Sequence, residues 1–187
     1  MDLSNLTFPF GNDIRWYTTQ VPQALPPQPL KDWLLSEGSL TQKLKLCCDQ
    51  FEVIVLGEQW IAADPREWHG PEQQLWLREV LLQLDGIPWV FARTLMSPQL
   101  LKQQQQLEQL GQRPLGELLF SDLNFVAGDI DICHIAAPSA VSDLATALKQ
   151  TASTPLWGRR RHFSYQQHPL IVAEVFLPAA ETGIKRA

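Results

Sequence analysis

The sequence predicts an α+β fold: one antiparallel sheet of about six strands with flanking helices, one face of the sheet covered by those helices. Two observations carry most of that expectation. The β-rich runs "QLWLREVLLQL" and "IPWVFARTLM" flank Asp85-Gly86, a preferred two-residue hairpin turn. A second pair, "LWGRRRHFSY" and "PLIVAEVFLP", is joined by "QQH". The third observation is order: segments of helical periodicity are inserted between strands that follow one another as hairpins.

The bulk numbers narrow the function classes. A chain of 187 residues, 45% hydrophobic and 19% charged, supports one compact domain with a real core and is not disordered. Lys plus Arg total 15 against 20 for Asp plus Glu, a net charge of -5, which argues against a general nucleic-acid binder. Cys47 and Cys48 are adjacent, a poor geometry for an ordinary disulfide; with Cys133 they form no CxxC pair. That usage suits a reducing compartment. The opening "MDLSNLTFPFGNDIRW" has no signal-peptide core, and no stretch approaches the roughly 20 apolar residues of a membrane span. The expectation is a cytoplasmic protein.

The elements read in order as follows. Residues 1–29 are proline-rich and aperiodic, an arm lying on the body; residues 30–187 form the single domain. "LKDWLLSE" is a short helix with Leu30, Trp33 and Leu34 on one face. Ser39 caps a second helix, "SLTQKLKLCCDQ", with Leu40, Leu44 and Cys47 or Cys48 inward. "FEVIVLGEQW" is a strand of imperfect alternation. After the first hairpin, "SPQLLKQQQQLEQLG" reads as a helix capped by Ser97, with Pro98 in its first turn and Gly111 as its stop. "RPLGELLF" opens another at Pro114; "FVAGDIDICHI" is one or two strands; "SAVSDLATALKQTAS" places Val141, Leu144 and Leu148 at helical spacing. In the second hairpin, alternation puts Arg159, Arg161 and Phe163 on one face and Arg160, His162 and Ser164 on the other, unless a bulge near Gly158 shifts the register.

Ordinary chemical motifs are missing. His69, His134, His162 and His168 lack metal-ligand spacing, and there is no GxGxxG, GxxxxGK[ST] or GxSxG sequence. Two charges stand out instead, each inside an apolar strand: Arg78 in "WLREVLL" and Glu174 in "IVAEVFLP". They either face solvent on a half-buried sheet or point into a cavity. A buried charge costs several kcal/mol unless a partner or ligand meets it, so the second reading implies a binding site.

"WLREVLLQLDGIPWVFART", "LGQRPLGELLF", "LWGRRRHF" and "PLIVAEVFLPA", in this order and spacing, resemble the bacterial chorismate pyruvate-lyase family. That family makes 4-hydroxybenzoate for ubiquinone. The resemblance runs from about Leu30 to Ala180. A more distant resemblance, of fold, is to the effector-binding domains of GntR/HutC-type regulators, although no helix-turn-helix segment is evident. The family resemblance implies a chorismate lyase-like fold, a monomer with a closed internal site, and neither metal nor cofactor. It implies a lyase acting on chorismate to give 4-hydroxybenzoate and pyruvate. Arg78 and Glu174 would be its catalytic side chains, both also contacting substrate, and the backbone amides at Leu40 and Leu115 would complete the substrate-binding set. Leu40 and Leu115 each fall in the first turn of an expected helix, where N–H groups lack intrahelical partners and an anion is favoured. The alternative is a non-catalytic domain that senses a small aromatic acid in the same pocket.

Two features fall outside that pattern, one of them the proline-rich amino-terminal arm. The segment from Val126 to Thr154 is longer than the family leads one to expect, and "APSAVSDLATALKQTAS" reads as an inserted helix, either lid or surface decoration. A dianionic substrate also calls for more positive charge than Arg78 alone. Arg93, Arg159, Arg160 or Arg161 could meet its second carboxylate, or could simply lie in a salt-bridged strand.

Overall fold

The computed structural model describes residues 3–19, 25–151 and 155–185; Pro22 of the arm and the end of the "LKQTAS" run, residues 152–154, lie outside them. The strands are β1 (Tyr17–Thr18), β2 (Phe51–Ala62), β3 (Gln74–Leu84), β4 (Ile87–Met96), β5 (Phe125–Ile135), β6 (Leu156–Tyr165) and β7 (His168–Phe176). The α-helices are α1 (Leu30–Leu34), α2 (Leu40–Lys45), α3 (Pro98–Gln103), α4 (Leu115–Ser121), α5 (Ala140–Ala147) and α6 (Pro178–Ile184). The strands form one sheet in the order β1-β5-β6-β7-β4-β3-β2, antiparallel at every pairing. There are seven strands among the described residues rather than six. The addition is β1, where the arm pairs Tyr17 with Ile132 and Thr18 with Asp131. A pair that short leaves no periodicity in the sequence.

Both hairpin turns use positive φ at their two central residues, as the I′ type requires. Asp85 and Gly86 have φ of 48° and 80°, and Gln166 and Gln167 have 46° and 72°. The Asp85 carboxylate also accepts from the amides of Asp49 and Gln50, tying the start of β2 to the β3–β4 turn. The second hairpin keeps the expected alternation, since the β6–β7 register is unbroken through Gly158; the irregularity lies on β5, between Ala127 and Ile130.

Three helices depart from expectation. The helix expected to run to Gly111 ends at Gln103; Gln104 leaves helical geometry (φ -125°, ψ 65°) and a 3-10 turn follows over Gln105–Leu107. In one continuous helix Leu100, Leu101, Leu107 and Leu110 would spread over about 180° of the circumference; the break buries all four in one cluster. Helix α2 stops at Lys45, leaving Cys47 exposed and Cys48 packed against the core. Helix α6 gives no strong sequence signal and starts on Pro178, with Ala180 and Ile184 buried.

The sheet is covered on both faces, not one. On the first face α1, α2 and α6 pack over Val80, Leu82, Ala92 and Phe176, while α3 and α4 pack over Met96, Phe163 and Leu170. On the second face α5 and the arm, through Phe10, pack over Leu81, Phe91 and Val175. Helix α5 is therefore neither lid nor decoration. Its Ser139–Ser142 capping box starts it, and Val141, Leu144 and Ala145 complete the second-face core.

That second face also holds a buried charge network. The Arg93 guanidinium, 2% exposed, donates to Glu67 (2.8 and 2.9 Å) and to Glu79 (2.7 Å), the latter fully buried. Two carboxylates face one cation, and the amides of Phe10 and Gly11 donate to Glu79 at 2.8 and 3.0 Å. Burial alone would lower the Arg93 pKa, but the Glu67 and Glu79 carboxylates outweigh it and raise it. Beside this network Arg160 donates to Asp131 at 2.8 Å, and the His162 ring lies 3.1 Å from the same oxygen. Arg93 and Arg160 thus point away from the first face, and the expectation that either could meet a substrate there is corrected by the strand register.

Replacing Arg93 by alanine would leave Glu67 and Glu79 buried without their cation. A loss of about 3–5 kcal/mol is expected in denaturant unfolding; a loss below about 1 kcal/mol would show the pair to be dispensable. Asp131 has its pKa lowered by the His162 hydrogen bond and then by Arg160. A depressed carboxylate stabilises the fold above its unfolded pKa of about 4 and loses that contribution as pH falls. Asp131→Asn should therefore be less stable than the parent at neutral pH, and the gap should close below about pH 4.

Candidate active site

On the first face the register lays two rows side by side. One runs Glu58, Arg78, Thr94, Val172 and Arg161 across β2, β3, β4, β7 and β6. The other runs Val55, Val80, Ala92, Glu174 and Arg159 across the same strands. Arg78 and Glu174 are thus two strands and one row apart, a Cα separation of about 12 Å from ordinary sheet spacings. Both line one cavity on this face. Val80, Ala92, Thr94 and Val172 form its floor; Thr41, Leu115 and Gly116 border it from α2 and α4, and Arg113 from the loop before α4.

The open choice between solvent and cavity is decided here. The Arg78 side chain is 3% exposed and that of Glu174 13%. Arg78 donates to Glu58 Oε1 at 2.5 Å and to the Gly111 carbonyl at 2.6 Å. Glu174 Oε2 accepts from Arg159 Nε at 2.7 Å. Each end of the cavity therefore carries a cation–carboxylate pair.

Helices α2 and α4 meet over the cavity by their first turns. Ser39 caps α2 by accepting from the Gln42 amide, and Pro114 precedes α4, which begins at Leu115. A Cβ on Gly116 would sit 2.5 Å from Thr41 Oγ1, so only glycine permits this approach. Lys45 and Glu117 add an ion pair between the same helices. Leu115 lines the cavity; Leu40 does not, since its side chain enters the core and its neighbour Thr41 takes the lining position. The sequence reading missed Thr41, Thr94, Arg113 and Glu58, and of its two readings of Arg159 the salt-bridged strand is the one found. Thr94 and Glu58 follow from Arg78 once the β2–β3–β4 register is known, whereas Thr41 and Arg113 come from segments that only tertiary packing brings in.

Fold and site together define a class: an α+β domain with a cavity between a seven-stranded sheet and short covering helices. Among solved structures the effector domain of PhnF from Mycobacterium smegmatis shares this fold. Its TM-score is 0.53 at 18% identity, covering 78% of this chain and 91% of that one. Full PhnF gives 0.55 at 17%, covering 78% and 66%. At such identities the likeness is one of fold alone. The sequence is more decisive: this chain belongs to the chorismate lyase family, whose family model matches residues 11–182. It is similar to a probable chorismate pyruvate-lyase of Shewanella sp. (strain W3-18-1), 50% identical over 98% of this chain and 99% of that protein. A similarly named protein of Pseudoalteromonas atlantica is 37% identical over 92% and 91%.

Gly116→Ala should force α4 away from α2 and cost about 1–3 kcal/mol by overpacking. Combining it with Thr41→Ala, which removes the clashing oxygen, should recover most of the lost thermal stability. No recovery would mean that the close approach is not what requires glycine.

Proposed function

We propose that this protein is a lyase that converts chorismate into 4-hydroxybenzoate and pyruvate. The observation that carries the reading is a buried guanidinium and a largely buried carboxylate lining one cavity, in a chain of the chorismate lyase family. The ring carboxylate is assigned to Arg78, with the first-turn amides of Leu40 and Leu115 as further donors. Arginine's planar fork matches a carboxylate, and Glu58 and Gly111 hold that fork in place. Glu174 takes the ring hydroxyl. The second carboxylate is assigned to Arg113, the other cation among the described lining residues besides Arg78.

The reaction breaks the bond between the ring and the enolpyruvyl oxygen. The ring carbon bearing the hydroxyl loses its hydrogen, the enolpyruvyl methylene gains one, and pyruvate leaves. Aromatisation drives the step, so the enzyme's share is orientation and exclusion of water. An intramolecular hydrogen transfer needs only that geometry; a stepwise route would use Glu174 as the base. The protein is proposed to act as a monomer in the cytoplasm on this small molecule and not on nucleic acid. No helix among the described residues is long and apolar enough to cross a membrane.

Incubation with chorismate should release 4-hydroxybenzoate and pyruvate in equal amounts, followed by absorbance and a coupled pyruvate assay. Binding of 4-hydroxybenzoate without turnover would instead identify an effector-sensing domain. Arg78→Ala should weaken 4-hydroxybenzoate binding at least roughly tenfold, the worth of a charge-assisted hydrogen bond; unchanged affinity would remove Arg78 from the site. Glu174→Gln should lower turnover; because it also leaves the buried Arg159 without its counter-charge it should lower the melting temperature, so turnover is compared at a temperature where both proteins are folded.

A further inference from the structure

We propose that Arg159 is a positioning residue that aims the Glu174 carboxylate at the hydroxyl of the bound ring; this rests on the reading of the cavity given above. Arg159 is 2% exposed and does not itself line the cavity. Its Nε takes Glu174 Oε2 at 2.7 Å, while its Nη1 donates to the Ser36 carbonyl at 2.5 Å and the Trp33 carbonyl at 3.4 Å. The guanidinium is thus fixed from the α1–α2 crossover, and one oxygen of Glu174 is fixed from the guanidinium. The other oxygen, Oε1, has no protein hydrogen bond among the described residues. Glu174 therefore has one held oxygen and one oxygen left for a ligand.

The rest of the arginine triplet is engaged elsewhere. Arg160 turns to Asp131 on the opposite face. Arg161 donates to the carbonyls of Gly128 and Glu37, so the crossover has a second anchor that does not depend on Arg159. A buried ion pair adds little net stability over an apolar pair of the same size. What it supplies here is direction: an unbraced glutamate has several rotamers, and only some reach the ring.

The test compares affinity for 4-hydroxybenzoate with affinity for benzoate, which lacks the hydroxyl, by calorimetry. The parent should favour 4-hydroxybenzoate by roughly tenfold to a hundredfold, the value of a hydrogen bond to a charged group. Arg159→Ala should lose most of that preference while holding benzoate within about threefold of the parent, since the Arg78 end is untouched. Arg159→Lys, which keeps a cation beside Glu174, should recover part of it. Adding Glu174→Gln to Arg159→Ala should cost no further preference. Equal weakening of both ligands would reduce Arg159 to a structural cross-link and overturn the proposal, as would full retention of the preference. If Arg159→Ala does not fold, the same criterion applied to Arg159→Gln decides. A parent with no preference at all would refute the assignment of Glu174 to the hydroxyl, and the role of Arg159 would fall with it.

Discussion

Charges in the middle of this sheet have nowhere to go but across a strand boundary. Both faces are covered, so Arg78, Glu79, Arg93, Arg159 and Arg160 are each 5% exposed or less. Each finds a carboxylate or cation partner on another element: Glu58, Glu67, Glu174, Asp131 or, for Glu79, Arg93 itself. Alternation sends neighbouring charges to opposite faces, so Arg78 serves the cavity while Glu79 serves the network behind it. A slip of one residue would exchange them and strand every pair in apolar surroundings at several kcal/mol each. The ion pairs therefore specify register more than they add stability.

With register specified, the cavity follows from what is placed over it. Helices α1, α2 and α4 have five, six and seven residues, too short to hold together alone in water. They are held by burial: Leu34 and Leu44 are fully buried, and Leu119 nearly so. The close approach allowed by Gly116 then aligns two helix starts above a floor of small and branched side chains. The sheet supplies the guanidinium and the carboxylate, and the helices supply the roof.

This division suits a reaction in which the substrate contains its own driving force. On the proposed reading, holding a ring at both ends restricts the reacting atoms to few geometries. With their partners the lining groups are three arginines, Arg78, Arg113 and Arg159, against Glu58 and Glu174, so the cavity is net positive, which favours an anion. The second-face network is separated from this chemistry by the sheet itself. It joins the amino-terminal arm to the core through Phe10 and Gly11, which explains why residues that read as a loose extension matter to the fold.

The residues alone identified the long elements, both hairpins, the antiparallel class and the two charges that had no business in apolar strands. Those features are local: turn chemistry, alternation and helix caps act within a few residues. The sequence did not disclose β1, the break at Gln104, the second covered face or the partners that Arg159 and Arg160 take on the opposite faces that alternation gave them. Neither did it bring Thr41 and Arg113 to the cavity. A two-residue strand has no period, and a buried arginine takes whichever acceptors the assembled chain brings to it. Whether Arg78 and Glu174 faced water or a cavity was likewise open from the residues, because a lone charge in an apolar strand satisfies either reading. The covering helices settled it by removing the solvent.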